Sequence, residues 1–525
     1  MGKNHSSVWL KPFTLLFGIS LIIFLVNRFI DYLLLTENLH PLAILFSDDV
    51  DNIIGSIGNW NEVVVAVLGL EITVLAIIVQ LAANKYSSKI MELFVQDRTN
   101  FLVIGLFVVT AVNTMLVSNT VNEKSLSLFS VSFVFLLIVI SLLIVLPHFN
   151  YVFNFLRPTN FLNYVKVKTI EEIDKIAAQK KPYTPQAKET ITNNINFIGD
   201  IALNSVYQGD RAVILLCIGY LREIAIHYIG KKSSLPAEWY KFSGNEYMDP
   251  DFASYSSYVI KKIETNKILL ERKILGLYDV IFNNSRQTLR DVASGVLLNT
   301  ELITNEAGKS SDAGALECCL QYFNSYLRSA IRGKDPRSAF NTLEHYRVVA
   351  EELLDHKPEE VEKISFYFKY YGQEASKNQV LFIIETAAHD LCRINELAYE
   401  KQVTNLKKLL EAFLTLDEPI EESKDETGTK ELSLIGVRIA QVKLAGYYLL
   451  RQEKELAQMI LKDMRVEPPG RIKKIKEIIF NTKNEEFWEI TPRGINFYYV
   501  SPARRNALIE FFEWLENGNY EILKS

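Results

Sequence analysis

The feature that most constrains this chain is a set of four long apolar stretches near its N-terminus. They cover about residues 13–35, 63–83, 101–121 and 126–146. Each has the roughly 20 residues that a helix needs to cross ~30 Å of hydrocarbon. Backbone polar groups must find partners within their own segment in lipid, and these stretches are continuous rather than alternating, so they predict helices and not strands. We therefore predict a four-helix transmembrane domain over residues 1–157.

The charged residues are distributed very unevenly along the chain. Residues 1–157 contain 18 charged residues, whereas the remaining 368 residues contain 101. This contrast predicts a membrane part followed by a large soluble part, and it excludes a disordered chain, a secreted disulfide scaffold and a purely soluble enzyme. The net charge is −5 and neither part is basic, so nucleic acid is not expected as a partner.

The Lys and Arg residues in the connecting loops predict how the membrane part is oriented. The 36–62 loop has no Lys or Arg, and the turn over 122–125 has only Lys124. The other ends of the stretches carry Lys3, Lys11, Lys85, Lys89, Arg98, Arg157, Lys166 and Lys168. Positive residues stay on the cytoplasmic side. We therefore expect a multi-pass protein of the inner (cell) membrane with both termini, and the soluble part, in the cytoplasm.

Glu71 lies near the middle of the second apolar stretch. A carboxylate at that depth costs roughly 2.5–3.5 kcal/mol, so it must face the bundle, a partner or water, or be protonated. Gln80, Thr110, Asn113 and Thr114 are candidates to face it. Two interpretations carry equal weight: these residues line an ion or proton pathway, or they form ordinary interhelical hydrogen bonds.

Charged residues also mark the predicted outer side. Arg28 and Asp31 are three residues apart, which predicts a local ion pair at the interface. The 36–62 loop predicts a solvated acidic surface, because it lacks the spacing and glycine of a calcium loop. Its carboxylates are Glu37, Asp48, Asp49, Asp51 and Glu62.

Three short segments of the membrane part match a known pattern. Residues 80–89 read QLAANKYSSK, residues 94–100 read FVQDRTN and residues 105–107 read GLF. They resemble a family of bacterial predicted membrane proteins, domain of unknown function 2254. Residues 200–205 (DIALNS) and 209–212 (GDRA) resemble a later segment of that family, although the Ser-Pro-Gly and Asn-Asp-Pro of its loop are replaced or shortened here. The resemblance covers about residues 10–230 and implies a membrane location and architecture, with no activity to carry over.

After residue 158 almost every apolar pattern has helical periodicity, which predicts an all-α chain with about ten to twelve helices there. Either an irregular helical bundle or a solenoid is expected. An acidic linker over 417–430 separates a helical domain, 158–416, from a C-terminal subdomain, 431–525. The aromatic residues over 487–500 predict one small β-hairpin. Gly230, Gly333 and Gly372 are predicted to close helices.

Motifs of catalysis and of cofactor binding are missing from the sequence. We therefore predict that the protein is not an enzyme, with no catalytic, cofactor or metal site. Glu385 and His389 are one helical turn apart, which favours a surface ion pair over metal ligation. His148, at the inner end of the fourth stretch, is interpreted as a pH sensor or as an interfacial residue.

Two functions from different classes fit these observations, and the sequence favours the first. The first is an oligomeric channel or transporter, in which Glu71 lines a pathway and the soluble part responds to a cytoplasmic protein or small-molecule regulator. The second is a non-conducting scaffold or sensor that binds a cytoplasmic protein partner and is anchored and oligomerised by its membrane helices. The first predicts that Glu71 faces a hydrated axis, and the second that it lies in a dry helix contact.

Overall fold

Twenty α-helices make up nearly all the regular structure in the described part of the chain. The computed structural model describes residues 5–36, 50–121, 127–178, 184–242, 247, 249–418, 429–490 and 493–516. The chain forms two compact units, residues 1–164 and 165–525. The prediction of an all-α chain is confirmed for the described residues.

The first unit contains the apolar helices predicted from the sequence. α1, α2, α4 and α5 pack side by side around a core of aliphatic residues and Phe107. A short helix, α3, folds back against α2 and leads into α4. The helices of this unit are α1 (His5–Thr36), α2 (Val50–Lys85), α3 (Lys89–Gln96), α4 (Arg98–Ser118) and α5 (Leu128–Phe155).

The second unit begins within α6 and consists of helices joined by short connections. Fifteen helices, counting α6, follow α5 in the described residues, more than the ten to twelve predicted. They are α6 (Pro158–Ala177), α7 (Pro185–Gln208), α8 (Arg211–Lys231), α9 (Ser257–Thr265), α10 (Leu269–Ser285), α11 (Arg290–Lys309), α12 (Ala313–Arg332), α13 (Pro336–His356), α14 (Pro358–Lys377), α15 (Phe382–Glu400), α16 (Leu406–Leu414), α17 (Thr429–Leu450), α18 (Lys454–Asp463), α19 (Pro469–Asn481) and α20 (Pro502–Glu516).

These helices stack in two layers. Within each layer, every helix contacts the next one. One layer contains α8, α11, α13, α15, α17 and α20, and the other contains α7, α10, α12, α14, α16 and α18. Helices adjacent in sequence, such as α12 and α13, pack across the two layers. Stacked helix pairs of this kind bury one continuous core between nearest neighbours, as in solenoid proteins.

A recurring turn joins the stacked helices. Ser311 has φ of +54°, and the N–H of Asp312 donates to the carbonyl of Ala307 at 3.0 Å, which is the Schellman closure of a helix. The Asp312 carboxylate then accepts from the N–H of Ala315 at 3.0 Å and caps the next helix. One short turn therefore ends one helix and starts another. Positive φ recurs at Gly209, Lys267, Lys334, Gln379, Gln402 and Gln452.

The helix α8 is a fifth segment long and apolar enough to cross a membrane. It bears charges along its length, and these pair within the second unit: Arg222 donates to Asn299 at 3.2 Å, and Glu223 accepts from Lys166 at 2.7 Å. Half of its apolar window is buried, against 11% for α1. With five helices of suitable length and composition, the prediction of a four-helix transmembrane bundle is not supported as it stands.

The predicted C-terminal β-hairpin is wrong. The described residues between α19 and α20 contain no strand, only an isolated antiparallel bridge between Glu486 and Ile495. Phe497, one of the aromatic residues that suggested a strand, packs against a helix instead: it stacks on Phe382 of α15 with ring centroids 6.2 Å apart. Contacts with the helices thus replace the longer ladder that a hairpin needs.

Other sequence predictions for the second unit can be placed on the structure. Gly372 does not close a helix but lies inside α14, where a Cβ would be 3.1 Å from Leu416. Asp417, assigned to a solvated linker, is buried and lies 2.9 Å from the Arg438 guanidinium. Residues 419–428 of that linker lie outside the described residues, and the boundary between 158–416 and 431–525 stays a prediction.

Gly314, in the first turn of α12, gives a test of this packing. A Cβ there would lie 2.3 Å from the carbonyl oxygen of Asn266, a backbone atom that cannot turn aside. We expect Gly314→Ala to lower the free energy of unfolding by about 1–3 kcal/mol. Gly219→Ala, in helix α8 with nothing within 4 Å, is the control and should be neutral or stabilising. Thermal unfolding of both full-length variants measures the difference, and equal melting temperatures would contradict the packing.

Candidate functional site

The sequence places Glu71 on the inward face of α2. The buried residues of this helix include Ile57, Val64, Glu71 and Leu75, and their spacing keeps them on one face. On α5 the buried face carries Ser141 and, seven residues later, His148. The same periodicity that packs the apolar side chains therefore directs one carboxyl and one imidazole into the first unit.

Glu71, His148 and Asn100 form a buried polar cluster. Nδ1 of His148 lies 2.6 Å from Oε1 of Glu71, and its Nε2 lies 3.1 Å from Oδ1 of Asn100. The side chains of His148 and Glu71 are 0% and 1% exposed. The amide of Asn100 also donates to the carbonyl of Phe94 at 3.0 Å. The cluster thus links α2, α4 and α5 to the end of α3.

The hydrogen bonds restrict where the protons of this cluster lie. Because the Nδ2 of Asn100 donates to Phe94, its Oδ1 accepts, and Nε2 of His148 must be the donor. Nδ1 then either accepts from a neutral Glu71 carboxyl or donates to a Glu71 carboxylate as part of an imidazolium. The two forms differ in the position of one proton between Glu71 and His148.

One oxygen of the cluster is left over. Oε2 of Glu71 is buried and has no hydrogen-bond partner among the described residues. A buried acceptor without a hydrogen-bond partner destabilises the fold by about 1–3 kcal/mol. The side chains of the cluster therefore leave one acceptor, Oε2 of Glu71, without a hydrogen bond. No three His, Cys, Asp or Glu side chains in the described parts of the chain are grouped to hold a metal ion.

The other residues predicted to face Glu71 lie elsewhere. Thr110 donates to the carbonyl of Leu106 at 2.8 Å and lies 3.0 Å from the Ser141 hydroxyl, while Thr114 donates to the carbonyl of Thr110 at 2.7 Å. Thr110 is ten residues from Asn100 on α4, or about 15 Å at 1.5 Å per residue. These hydroxyl groups hydrogen-bond to backbone carbonyls and, for Thr110, contact α5, about 15 Å along α4 from the Glu71 cluster.

Asn113 and Gln80 are also separate from the cluster. Asn113 is buried and donates to the carbonyl of Val109 at 2.9 Å, and its Oδ1 has no partner among the described residues. Gln80 is exposed and lines a groove of about 570 Å³ between the last turns of α2 and α3. The depth of Glu71 was therefore a useful signal, but its partners were not those named from the sequence.

The opposite ends of these helices carry a second polar cluster. Asp31 accepts from the N–H groups of Phe129 and Ser130 at 3.0 and 3.3 Å, which caps the first turn of α5. Arg28 donates to the hydroxyl of Ser127. Both side chains thus reach the start of α5, contacts that the predicted local ion pair did not include. Glu37, Asp48 and Asp49 of the predicted acidic surface lie outside the described residues.

The two clusters lie one membrane thickness apart. Ser130 and His148 are 18 residues apart on α5, which is about 27 Å of helix. The hydrocarbon core of a bilayer is about 30 Å thick. The apolar core between them includes Phe107, Val134 and Ile138.

Comparison with known proteins agrees with this membrane architecture. Residues 5–205 match the family model described as predicted membrane protein (DUF2254). The resemblance predicted from the sequence is confirmed over these residues, which are less than half of the chain. With this match and its apolar helices, the chain is a membrane protein with several candidate spans.

No curated protein matches the chain. A solved structure described as a circular tandem repeat protein with novel repeat topology and enhanced subunit contact surfaces aligns with 89% of this chain and 96% of its own, at 12% identity and a TM-score of 0.33. That score is too low to indicate a shared fold.

Proposed function

We propose that this protein is a membrane-anchored sensor, not an enzyme, whose apolar helices hold a cytoplasmic helical array that binds a small-molecule or protein partner. The observation that carries the proposal is the dry Glu71–His148 contact, with side chains 1% and 0% exposed. A carboxyl that lines a hydrated path needs water on one side, whereas this one is enclosed by α2, α4 and α5. Such a buried pair fixes how helices pack, as polar groups do in membrane bundles.

The location and assembly follow from the loop charges and the lipid-facing residues. Positive residues at one set of helix ends support an inner-membrane protein with both termini in the cytoplasm. The resemblance to a family of bacterial membrane proteins supports a bacterial source. The α1 helix is only 11% buried over its apolar window. Its exposed face, which includes Phe13, Phe17 and Leu21, is suited to contact lipid and a second copy of the chain, so we expect a homo-oligomer.

A channel or transporter is the second candidate function. It is favoured by the unpartnered Oε2 of Glu71 and by the single proton that Glu71 and His148 share, since Glu and His chains carry protons in pumps and transporters. Against it, the fully buried apolar side chains of Phe107, Val131 and Val134 lie between the two polar clusters. A pathway through a single protomer would have to displace them.

The experiment that separates the candidates is conductance of the full-length protein in planar bilayers. We compare the wild type with Glu71→Gln and, as the matched control, Glu62→Gln, which removes the same charge from an exposed position on the same helix. The sensor proposal expects no single-channel steps from any of the three across voltage and pH, with protein shown to be folded and inserted.

The other outcomes contradict the sensor proposal in different ways. Steps that change in conductance or selectivity with Glu71→Gln, and not with Glu62→Gln, would favour a channel that uses Glu71. Steps that are the same in all three proteins would also reject the sensor and place the pathway elsewhere.

A further inference from the structure

A cleft of about 590 Å³ opens in the second unit between α13, α15 and the segment after α19. Its volume is in the range of sites for small organic ligands. Neither the helical pattern nor the predicted hairpin indicated it, because its wall is built from the segment that was expected to form strands. Phe340, Phe382, Glu385, Trp488, Phe497 and Tyr498 contribute the side chains discussed below.

Aromatic rings form the walls of this cleft. Phe382 stacks on Phe340 and on Phe497, with centroids 5.6 and 6.2 Å apart and ring planes within 28° of parallel. In the segment after α19, Trp488 stacks on Phe487 with ring centroids 4.3 Å apart. The Trp488 side chain is 80% exposed, an unusual state for a large apolar residue next to a cleft. Because Trp488 lines the cleft and is exposed, its indole is accessible to a ligand there.

Glu385 supplies the cleft with one acidic group. Its Oε2 accepts from the Tyr498 hydroxyl at 3.0 Å, and no cation among the described residues pairs with it. Gly436 of α17 makes room for the carboxyl, since a Cβ there would lie 2.6 Å from Cδ of Glu385. Burial raises the pKa of Glu385 to about 7. The helix-surface ion pair predicted for Glu385 and His389 is therefore not what forms: His389 stacks on Phe497 instead, at 4.3 Å.

The cations near the cleft do not neutralise Glu385. Arg493 lies over the Phe340 ring at 4.5 Å, and its guanidinium is bound by Asp390 and Glu344, with Nη2 to Oδ2 of Asp390 at 3.0 Å. Lys483 also lines the cleft, but its side chain is exposed, so water and salt screen its charge. The cleft therefore combines aromatic walls with one carboxyl that lacks a positive partner.

We propose that this cleft binds a small organic ammonium ion that carries an aromatic ring, with the ammonium on Glu385 and the ring between the aromatic walls. Ammonium groups are attracted to carboxylates and to the faces of aromatic rings, and both lie in this one cleft. The inference rests on the proposed sensor function, for which it supplies the class of ligand. Ligand binding and bilayer conductance are measured in separate experiments. A negative result for the ligand therefore does not decide whether the protein is a sensor, and the reverse also holds.

The test uses the full-length protein in detergent and isothermal titration with 2-phenylethylamine. The neutral 2-phenylethanol, which keeps the ring and loses the charge, is the control ligand. We expect the amine to bind at least about tenfold more tightly than the alcohol. Glu385→Gln should weaken amine binding about tenfold or more, and Trp488→Ala, at an exposed position, should weaken the binding of both ligands severalfold. Glu359→Gln, exposed on α14 and outside the cleft, should leave binding unchanged.

The pH dependence of amine affinity distinguishes a ligand-binding role of Glu385 from a purely structural one. With a pKa of about 7, Glu385 is mostly neutral at about pH 6 and mostly ionised at about pH 8. Amine affinity of the wild type should therefore rise about tenfold over that interval and level off above it. Glu385→Gln should show no such rise.

Three results would overturn the proposal. They are no amine binding at millimolar concentration, equal affinity for the amine and the alcohol, and Glu385→Gln binding that matches the wild type. If any of these occurs while bilayers stay silent, the sensor function stands and the class of ligand is wrong. If the amine binds but channels open, the ligand site stands and the sensor function is wrong.

Discussion

Arg438→Met is expected to lower the free energy of unfolding by about 3–5 kcal/mol, the usual cost of removing one member of a buried charge network. The Arg438 side chain is 2% exposed. Its Nε lies 2.6 Å from Glu467 and 2.9 Å from Asp417, and its Nη1 bonds to Gln441 at 2.8 Å and to Asp463. Burial acts to lower the pKa of the guanidinium, but these carboxylates together raise it above its usual value. Met keeps the aliphatic stem of the side chain but removes the guanidinium from the buried Asp417 and Glu467 carboxyl groups; Glu467 keeps its ion pair with Arg471.

Arg393→Met is the matched control for this prediction. Arg393 is half exposed and lies 3.8–3.9 Å from its acidic neighbours. An exposed pair contributes about 0–1 kcal/mol. Hydrogen–deuterium exchange of α17 and α18 in the full-length protein should rise sharply with Arg438→Met and stay near the wild type with Arg393→Met. Equal exchange in the two variants would show that the network does not stabilise this end of the helical array.

The fold was predictable where a single segment determines the answer. Each apolar run of the first unit became a helix, because a continuous apolar sequence of that length has few alternatives. Elements that depend on distant neighbours were not predictable. Asp417 looked solvated in an acidic stretch and is buried because Arg438 lies opposite. Phe497, which was expected in a strand, packs on Phe382 and His389 of α15. The choice between bundle and solenoid was left open, because it depends on which helices stack.

The candidate site was predictable in part for the same reason. Glu71 stood out because the free-energy cost of a carboxyl group in an apolar helix can be recognised from that helix's own sequence. His148 lies 77 residues away and Asn100 on another helix, and no pattern in one segment joins them. The seven-residue spacing from Ser141 to His148 was the one signal available, since it puts the imidazole on the buried face of α5. The aromatic cleft was missed because its wall had been assigned to a β-hairpin.

The second large effect is expected at the Glu71–His148 contact. His148→Leu leaves a buried carboxyl without its partner, so we expect a loss of about 3–5 kcal/mol in the stability of the folded protein. Glu71→Leu should cost less, because the imidazole keeps its bond to Asn100. The double variant should recover most of the loss, since well-packed apolar residues can replace a buried pair at little cost. Thermal unfolding in detergent of the wild type, the two single variants and the double variant gives the coupling between the two positions.

A neutral pair in the same unit shows whether this coupling is special to the ionisable groups. Thr110 and Ser141 lie 3.0 Å apart, and hydroxyl contacts between membrane helices contribute about 0.6 kcal/mol on average. The cycle of Thr110→Ala and Ser141→Ala should therefore show weak coupling. If the Glu71–His148 cycle is equally weak, the two groups do not hold the helices together, and their retention in an apolar unit would then favour proton handling over anchoring. A large coupling free energy between Glu71 and His148, together with the absence of single-channel steps, would show that the pair holds α2 and α5 together, as the sensor function requires.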